Sequence, residues 1–250
     1  MKILIANWKM APETPKAAAS LAKATATIAK NNKKKVQVIA CVPHVYLSTV
    51  RSTAKTLALG AQDVSASTTV ASTGHVSAIM LKSGGAAYSI VGHSECRAVG
   101  DTNESVKAKI TGLLAAKVMP ILCVGEKERD AQGWYLSTIK DQIESACAGI
   151  TKPQLKQVII AYEPVWAIGE KAAREATPAE CHEMVLFIRK LLADLYDEKS
   201  AKQVPILYGG SVSEDNAAAF VTDGGATGLL VGRVSLEPKR FAKIAQRISL

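Results

Sequence analysis

The sequence predicts an α/β fold, a closed barrel of eight parallel strands inside a ring of helices, and three observations support this prediction. Short apolar segments of strand length recur along the 250 residues, each followed by helical periodicity or a helix-start signal. Several of these segments are apolar throughout, as expected for parallel strands that are buried on both faces. The length suits one closed barrel and no low-complexity linker divides the chain, so we expect a single domain over residues 1–250.

Eight strand segments alternate with eight helical segments. The strands are predicted at residues 3–6, 36–42, 57–61, 88–91, 118–124, 157–162, 205–208 and 228–231, and the helices at residues 16–30, 46–57, 77–82, 103–116, 129–148, 177–196, 215–220 and 238–247. Eight such units can close into a barrel, whereas an open doubly wound sheet would leave two unprotected edges. The strand count therefore favours the barrel.

The net charge of +9 is compatible with an anionic substrate, an anionic partner or a basic solvated exterior. The densest basic run, residues 30–35, has no interleaved aromatic side chain on which a base could stack, so we interpret it as a solvated turn and expect no nucleic-acid partner. The apolar run at the N-terminus ends at Asn7, which is too short for a signal-peptide core or a membrane span. We therefore expect no membrane partner.

The five cysteines, at positions 41, 96, 123, 147 and 181, are odd in number, widely scattered and without a C-x-x-C pair. This pattern fits a reducing cytoplasm better than an oxidising compartment. No histidine or cysteine cluster has the spacing of a metal site.

Polar residues follow the predicted strands at the end where a parallel barrel carries its active site. They are Asn7-Trp8-Lys9 after the first strand, Gly92-His93-Ser94-Glu95 after the fourth, Tyr162-Glu163-Pro164 after the sixth, Tyr208-Gly209-Gly210-Ser211 after the seventh and Val231-Gly232-Arg233 after the eighth. Each motif alone has a structural explanation, such as a solvated lysine, a hydrogen-bonded histidine or a turn. A barrel, however, brings the ends of strands one, four and six to one rim.

The loops after the last two strands are rich in glycine, with Gly209-Gly210-Ser211 in one and Gly232 in the other. Backbone N–H groups in such loops can converge on an anion, and these two loops commonly form the phosphate site of a barrel. The alternative is that the glycines only permit tight turns. We expect a small phosphorylated substrate.

The chain resembles the triosephosphate isomerase family over nearly its whole length. The matching segments are Ala6-Asn7-Trp8-Lys9, Gly92-His93-Ser94-Glu95, Gly100-Asp101-Thr102-Asn103-Glu104, Cys123-Val124-Gly125-Glu126, Ala161-Tyr162-Glu163-Pro164-Val165-Trp166-Ala167-Ile168-Gly169, Tyr208-Gly209-Gly210-Ser211 and Leu230-Val231-Gly232. The resemblance implies a TIM barrel and a cytoplasmic, homodimeric aldose–ketose isomerase of glycolysis and gluconeogenesis. Such an enzyme interconverts dihydroxyacetone phosphate and D-glyceraldehyde 3-phosphate through an enediolate.

The same resemblance implies catalytic roles for Lys9, His93 and Glu163. Glu163 would be the base that moves a proton between adjacent carbons, and exclusion of water would raise its basicity. His93 would be the neutral electrophile that polarises the carbonyl, because a helix N-terminus disfavours a second proton on its ring. Lys9 would stabilise the developing negative charge. This mechanism requires no metal and no organic cofactor.

The resemblance also implies residues that bind the substrate, form a lid over it or hold the catalytic side chains in place. The substrate-binding set is Asn7, Lys9, Gly169, Ser211, Gly232 and Arg233, and the lid that closes over the intermediate begins with Pro164, Val165, Trp166, Ala167, Ile168 and Gly169. Glu95 and Glu126 would hold Lys9 and the surrounding loops, with helix capping as the alternative.

Two departures from the family pattern affect the site. The lid reaches to about Ala173 and is about two residues longer than usual, so we expect a tip of different shape. Arg233 stands where a second glycine is usual, and its side chain could add charge to the phosphate site or point outward.

The other departures concern assembly, for which the resemblance implies a homodimer through the loop that carries Thr73, Gly74 and His75. His75 and Cys96 stand where the family has a glutamate and an arginine that pair near the subunit interface, and loss of both avoids an unpaired charge. Asp63 replaces a common asparagine, and we expect this change to matter little.

Two alternatives remain open. Another phosphate-binding barrel, such as an isomerase of tryptophan or histidine biosynthesis, would share the late glycine loops but would not need the set of Asn7, Lys9, His93 and Glu163. A barrel that binds a phosphorylated ligand without turning it over would keep the fold and the anion site.

Overall fold

A computed structural model describes residues 1–169, 172 and 174–249, and within them eight parallel strands form a closed barrel in the order β1 to β8. The strands are β1 (Lys2–Asn7), β2 (Val36–Val42), β3 (Ala58–Ala61), β4 (Tyr88–Val91), β5 (Met119–Val124), β6 (Ile159–Tyr162), β7 (Ile206–Tyr208) and β8 (Gly228–Val231). The predicted barrel is therefore confirmed, and each strand lies within two residues of its predicted bounds.

Helices connect the strands and cover the barrel. They are α1 (Pro15–Asn32), α2 (Leu47–Thr53), α3 (Ala78–Ser83), α4 (Ser94–Ala98), α5 (Asn103–Ala115), α6 (Tyr135–Cys147), α7 (Lys152–Leu155), α8 (Pro178–Leu195), α9 (Glu198–Gln203), α10 (Ala217–Thr222) and α11 (Pro238–Arg247). Short 3-10 helices occupy His44–Tyr46, Val165–Ala167 and Arg233–Leu236. None of the helices in the described part of the chain is long and apolar enough to cross a membrane.

The predicted helix at residues 129–148 is wrong at its beginning, because α6 starts only at Tyr135. The carboxylate of Asp130 accepts hydrogen bonds from the backbone N–H groups of Trp134 and Tyr135, both at 2.9 Å, and so satisfies the first donors of the helix. Gly133, directly before Trp134, has φ +80°, a left-handed conformation that interrupts a helix. The preceding residues therefore form a loop.

The barrel closes where the last strand pairs with the first, with Ile3 opposite Gly228 and Ala6 opposite Val231. A Cβ atom on Gly228 would lie 1.8 Å from the carbonyl oxygen of Ile3, so only glycine permits this approach of the two backbones. The seam between β1 and β8 therefore requires glycine at position 228.

Apolar side chains fill both faces of the strands, which explains their continuous apolar pattern. The barrel interior holds Ile3, Ile5, Ile39, Cys41, Tyr88, Ile90, Ile121, Cys123, Ile159, Ala161, Leu207 and Leu230. The opposite faces pack against the helices in a larger cluster that includes Leu4, Trp8 and Phe241. The packed interior leaves the carboxyl ends of the strands as the place for a site.

Candidate active site

One cavity of about 380 Å³ lies at the carboxyl ends of the strands. Its lining includes all the residues predicted from sequence to act in catalysis or to bind substrate, namely Asn7, Lys9, His93, Glu163, Gly169, Ser211, Gly232 and Arg233. Asn7 is the last residue of β1, and the others lie in the segments that follow β1, β4, β6, β7 and β8. The closed barrel thus brings together positions up to 226 residues apart in the chain.

His93 is the N-cap residue of α4. Its Nδ1 accepts the backbone N–H of Glu95 at 3.1 Å, so the neutral ring carries its proton on Nε2. Nε2 lies 3.3 Å from Oε1 of Glu163. The ring therefore presents an N–H donor to the cavity.

Glu163 directly follows β6 and is 2% exposed. Its Oε2 accepts the backbone N–H of Ser94 at 3.1 Å, while Oε1 has no hydrogen-bond partner among the residues described. A Cβ atom on Gly125 would lie 1.8 Å from the carbonyl oxygen of Glu163, so glycine at the end of β5 lets this backbone approach. The carboxylate is thus fixed at one oxygen and able to take a proton at the other.

Lys9 adopts a left-handed backbone conformation, with φ +51°. Two contacts hold it there: its N–H donates to Oδ1 of Asn7 at 3.0 Å, and Nε2 of Gln62 donates to its carbonyl oxygen at 2.8 Å. Its ammonium group lies 2.5 Å from Oε1 of Glu95. Partial burial acts to raise the pKa of Glu95, but the hydrogen bond and charge of Lys9 outweigh it and lower that pKa.

Gln62 was not among the residues selected from sequence, although it directly follows β3. Its position obeys the same strand-end rule that singled out Lys9, His93 and Glu163. Its amide also donates to the carbonyl oxygen of Cys41 at 3.2 Å, which ties the end of β2 to Lys9. The strand-end rule, applied to every strand, would have found it.

Glu126 follows β5 and does not share the position of Glu95 beside Lys9. Its Oε1 accepts hydrogen bonds from the hydroxyl of Tyr162 at 2.8 Å and from Nε1 of Trp166 at 2.7 Å. Burial raises the pKa of Glu126, and the hydrogen bonds from Trp166 and Tyr162 only partly oppose that effect. Of the two predicted supporting carboxylates, Glu95 therefore contacts Lys9 and Glu126 holds the start of the lid.

The lid begins as a 3-10 helix at Val165–Ala167, and Ile168 and Gly169 line the cavity. Ser211 joins this segment to the loop after β7, because its hydroxyl donates to the carbonyl oxygen of Ala167 at 2.8 Å. The predicted tip of different shape falls largely on Glu170, Lys171 and Ala173, which lie outside the described residues.

Asp63, which was expected to matter little, lies in a cluster of charged side chains. The Lys109 ammonium lies 2.8 Å from Asp63 and 2.7 Å from Asp101, beside Cys96. Burial acts to lower the pKa of Lys109, but its hydrogen bonds to Asp101 and Asp63 outweigh burial and raise it. Asp63, Cys96 and Asp101 also place potential metal-ligating atoms within 4.8 Å of one another, but Lys109 already supplies the opposing charge.

Comparison with known proteins agrees with this geometry. The family model described as triosephosphate isomerase matches residues 2–248. A protein named triosephosphate isomerase from Caldanaerobacter subterraneus subsp. tengcongensis is 38% identical over 246 residues, which cover 97% of each chain.

Two further relatives carry the same name. That of Roseiflexus sp. (strain RS-1) is 40% identical over 97% of this chain and 95% of its own, and that of Endomicrobium trichonymphae is 39% identical over 98% and 97%. A match over nearly the whole length, together with the cavity at the strand ends, establishes that the chain belongs to the triosephosphate isomerase family.

Proposed function

We propose that Lys9, His93 and Glu163 carry out the reaction of the family in this chain. The reaction interconverts dihydroxyacetone phosphate and D-glyceraldehyde 3-phosphate by proton transfer through an enediolate, as used in glycolysis and gluconeogenesis. One observation carries the assignment: among the residues described, a buried carboxylate oxygen that forms no hydrogen bond faces Nε2 of a histidine at 3.3 Å, in a cavity that also holds an ammonium group.

Glu163 is the base that removes a proton from one carbon and returns it to the next. Its Oε1 is buried and forms no hydrogen bond in the described part of the chain, and Nε2 of His93 lies 3.3 Å away, so a proton taken up there displaces only this one contact. The bond from the N–H of Ser94 holds Oε2, which leaves Oε1 as the oxygen that takes the proton.

His93 donates its Nε2 proton to the carbonyl oxygen that becomes the enediolate oxygen, as the family resemblance implies. The bond from Glu95 N–H to Nδ1 keeps the ring in the tautomer that this step requires. The ring that has given up its Nε2 proton then takes one from the hydroxyl on the adjacent carbon of the intermediate, so that a proton moves between the two oxygens and the imidazole is neutral again.

Lys9 supplies a fixed positive charge for the enediolate oxygen and for the phosphate, and Asn7 orients the substrate. The phosphate binds between Gly169, Ser211, Gly232 and Arg233, where glycine-rich loops line the cavity. The lid that begins at Pro164 closes over the bound intermediate and excludes water, which protects the phosphate from elimination.

The test is a coupled assay that converts glyceraldehyde 3-phosphate to dihydroxyacetone phosphate, run in H₂O and in D₂O. We expect rapid turnover, and in D₂O a product that carries solvent deuterium at C1, because the base exchanges its proton with solvent. A protein that binds phosphoglycolate but forms no product would instead be a phosphate-binding barrel without isomerase activity.

We further propose a homodimer in which the loop carrying Thr73, Gly74 and His75 packs against a second copy of the chain. Val70 on this loop is fully exposed, and Ile79 and Met80 beside it are 75% and 57% exposed, which is unusual for apolar side chains. Together with His75 they line a groove of about 520 Å³. Burial of this apolar surface would favour association.

Light scattering at micromolar concentration is expected to give twice the chain mass of 26.4 kDa. Val70→Glu places a charge in the proposed interface and is expected to shift the protein to monomer without loss of folding, since Val70 makes no buried contact in one chain. Leu186→Glu, on α8 elsewhere on the barrel, is the control and should stay dimeric. A monomeric wild type would end this proposal.

A single domain over residues 1–250 and a cytoplasmic location complete the proposal. The pairing of β8 with β1 supports the first, because the last strand of the barrel closes the sheet onto its first strand. The five free cysteines support the second, since four of them are buried as thiols.

A further inference from the structure

The positive charge of the chain is concentrated in two segments that are far apart in the sequence. Residues 14–62 contain eight Lys or Arg and no Asp or Glu, and residues 238–250 contain four Lys or Arg and no Asp or Glu. The rest of the chain has more acidic than basic residues. The two segments therefore account for the whole net charge of +9.

The fold brings these two segments together. Helix α1 belongs to the first segment and α11 to the second, and the two helices pack against each other where β8 pairs with β1. Each helix follows its strand and returns to the opposite end of the barrel, so α1 and α11 lie side by side and run in the same direction. Their exposed faces form one flank of the barrel, which we call the basic flank.

Exposed cations form a row along each helix of the basic flank. On α1 they recur every seven residues, which is almost two full turns and about 10.5 Å, so they share one side of the helix. On α11 they recur every four residues, which also makes them neighbours on the helix surface. None of them forms an ion pair with a carboxylate in the described part of the chain. The two rows are Lys16, Lys23 and Lys30 on α1, and Lys239, Lys243 and Arg247 on α11.

The surface between the lysines of α1 is low. Ser20 lies between Lys16 and Lys23, and its hydroxyl donates to the carbonyl oxygen of Lys16 at 3.1 Å. The hydroxyl of Thr27 donates to the carbonyl oxygen of Lys23 at 3.0 Å in the same way. Both hydroxyls therefore turn back onto their own helix, and the lysines remain the longest side chains of this row.

The chemistry of the basic flank favours carboxylates that are themselves presented by a helix. Carboxylates at every seventh residue of a second helix repeat at the same spacing of about 10.5 Å as the lysines of α1. All cations but one in the two rows are lysines, which lack the planar fork with which arginine binds phosphate. The one aromatic residue in α1 and α11 is Phe241, which is buried, so these helices offer no ring for base stacking.

We propose that the basic flank is a docking surface for an acidic helical segment of another protein. This segment lies along the groove between α1 and α11, with Glu or Asp side chains facing both rows. Packed helices lie about 8–10 Å apart, so a helix in this groove reaches both rows with its side chains. Complementary charge fixes its register and speeds its association. The basic flank lies outside the cavity at the strand ends, so the inference does not depend on the proposed function.

The test uses a synthetic helical peptide of Ala and Gln that carries Glu at every seventh position in two adjacent columns. A second peptide has the same composition, with its Glu residues distributed around the helix. Fluorescence anisotropy measures both dissociation constants at about 50 mM salt, where exposed charges are weakly screened. We expect the patterned peptide to bind roughly fivefold more tightly than the distributed one, and its affinity to fall at about 150 mM salt.

Two triple variants test the location of the surface. The first, Lys16→Gln/Lys23→Gln/Lys30→Gln, should weaken binding of the patterned peptide by roughly tenfold, since each exposed ion pair contributes a factor of about two. All three side chains are exposed, so the thermal midpoint should change little. The matched control removes the same charge from α6, α8 and α9, where each lysine pairs with a carboxylate of its own helix, and should bind within about twofold of wild type. This control is Lys140→Gln/Lys190→Gln/Lys202→Gln.

Three outcomes would overturn the proposal. Equal losses in the two triple variants would show that net charge alone attracts the peptide. Equal binding of the two peptides would show that the spacing of the carboxylates has no effect. A DNA duplex and vesicles of phosphatidylcholine with phosphatidylserine are measured at the same salt concentration. If the first triple variant weakens the binding of either by a larger factor than it weakens peptide binding, the basic flank is a surface for that anion and not for an acidic helix.

Discussion

Glu163→Gln is expected to lower kcat by about 10³-fold, because a positioned general base contributes on the order of 10²- to 10⁴-fold to a proton transfer. Glutamine has nearly the same shape and can still accept the N–H of Ser94 through its amide oxygen. It cannot take a proton from carbon at neutral pH. The coupled assay at saturating glyceraldehyde 3-phosphate measures the loss, and the thermal midpoint should change little.

Glu144→Gln is the matched control, since it makes the same chemical change on the outer surface of α6. It should retain the wild-type kcat. A Glu163→Gln variant within tenfold of wild type would mean that another group removes the proton, and Glu163 would lose its role as the base.

Lys109→Met is expected to lower the free energy of unfolding by about 3 kcal/mol, the lower end of the range for breaking a buried charge cluster. Lys109 is 6% exposed and neutralises two carboxylates, so its loss leaves Asp63 and Asp101 facing each other without a cation. The side chain of Asp63 is about one-third exposed, and water therefore offsets part of the cost. Urea unfolding at pH 7 measures the change.

The control variant removes all three charges of the cluster at once. In Lys109→Met/Asp63→Asn/Asp101→Asn no uncompensated charge remains, and most of the lost stability should return. A cost below about 1 kcal/mol in Lys109→Met would show that water, and not Lys109, satisfies the two carboxylates.

The strands could be predicted from sequence because parallel strands buried on both faces read as continuous apolar runs. Val36–Val42 and Tyr88–Val91 are found at their predicted bounds. Short helices contain too few turns to show a helical period of apolar residues. The predicted elements therefore do not include α7 and α9, with four and six residues. The late start of α6 depends on the cap by Asp130, which a pattern of apolar residues does not report.

The position of the site was predictable to the same extent as the strands. Once the strand ends were known, the barrel placed Lys9, His93 and Glu163 on one rim. Partners on separate elements were not predictable: Lys109 lies 46 residues from Asp63, and their contact depends on how the fold brings α5 to the loop after β3. The contact between Asp63 and Lys109 could therefore not be read from the sequence.

The pairing of β8 with β1 also has a consequence for the growing polypeptide on the ribosome. Strand β1 is synthesised before the other seven strands, but its second neighbour does not exist until residue 231 has been synthesised. Until then the edge of β1 and part of the barrel interior lack their partner, and such non-local pairings are slow to form. Lys9 packs directly against Gly232 across this seam, so the corner of the cavity between them is completed only after all eight strands have emerged.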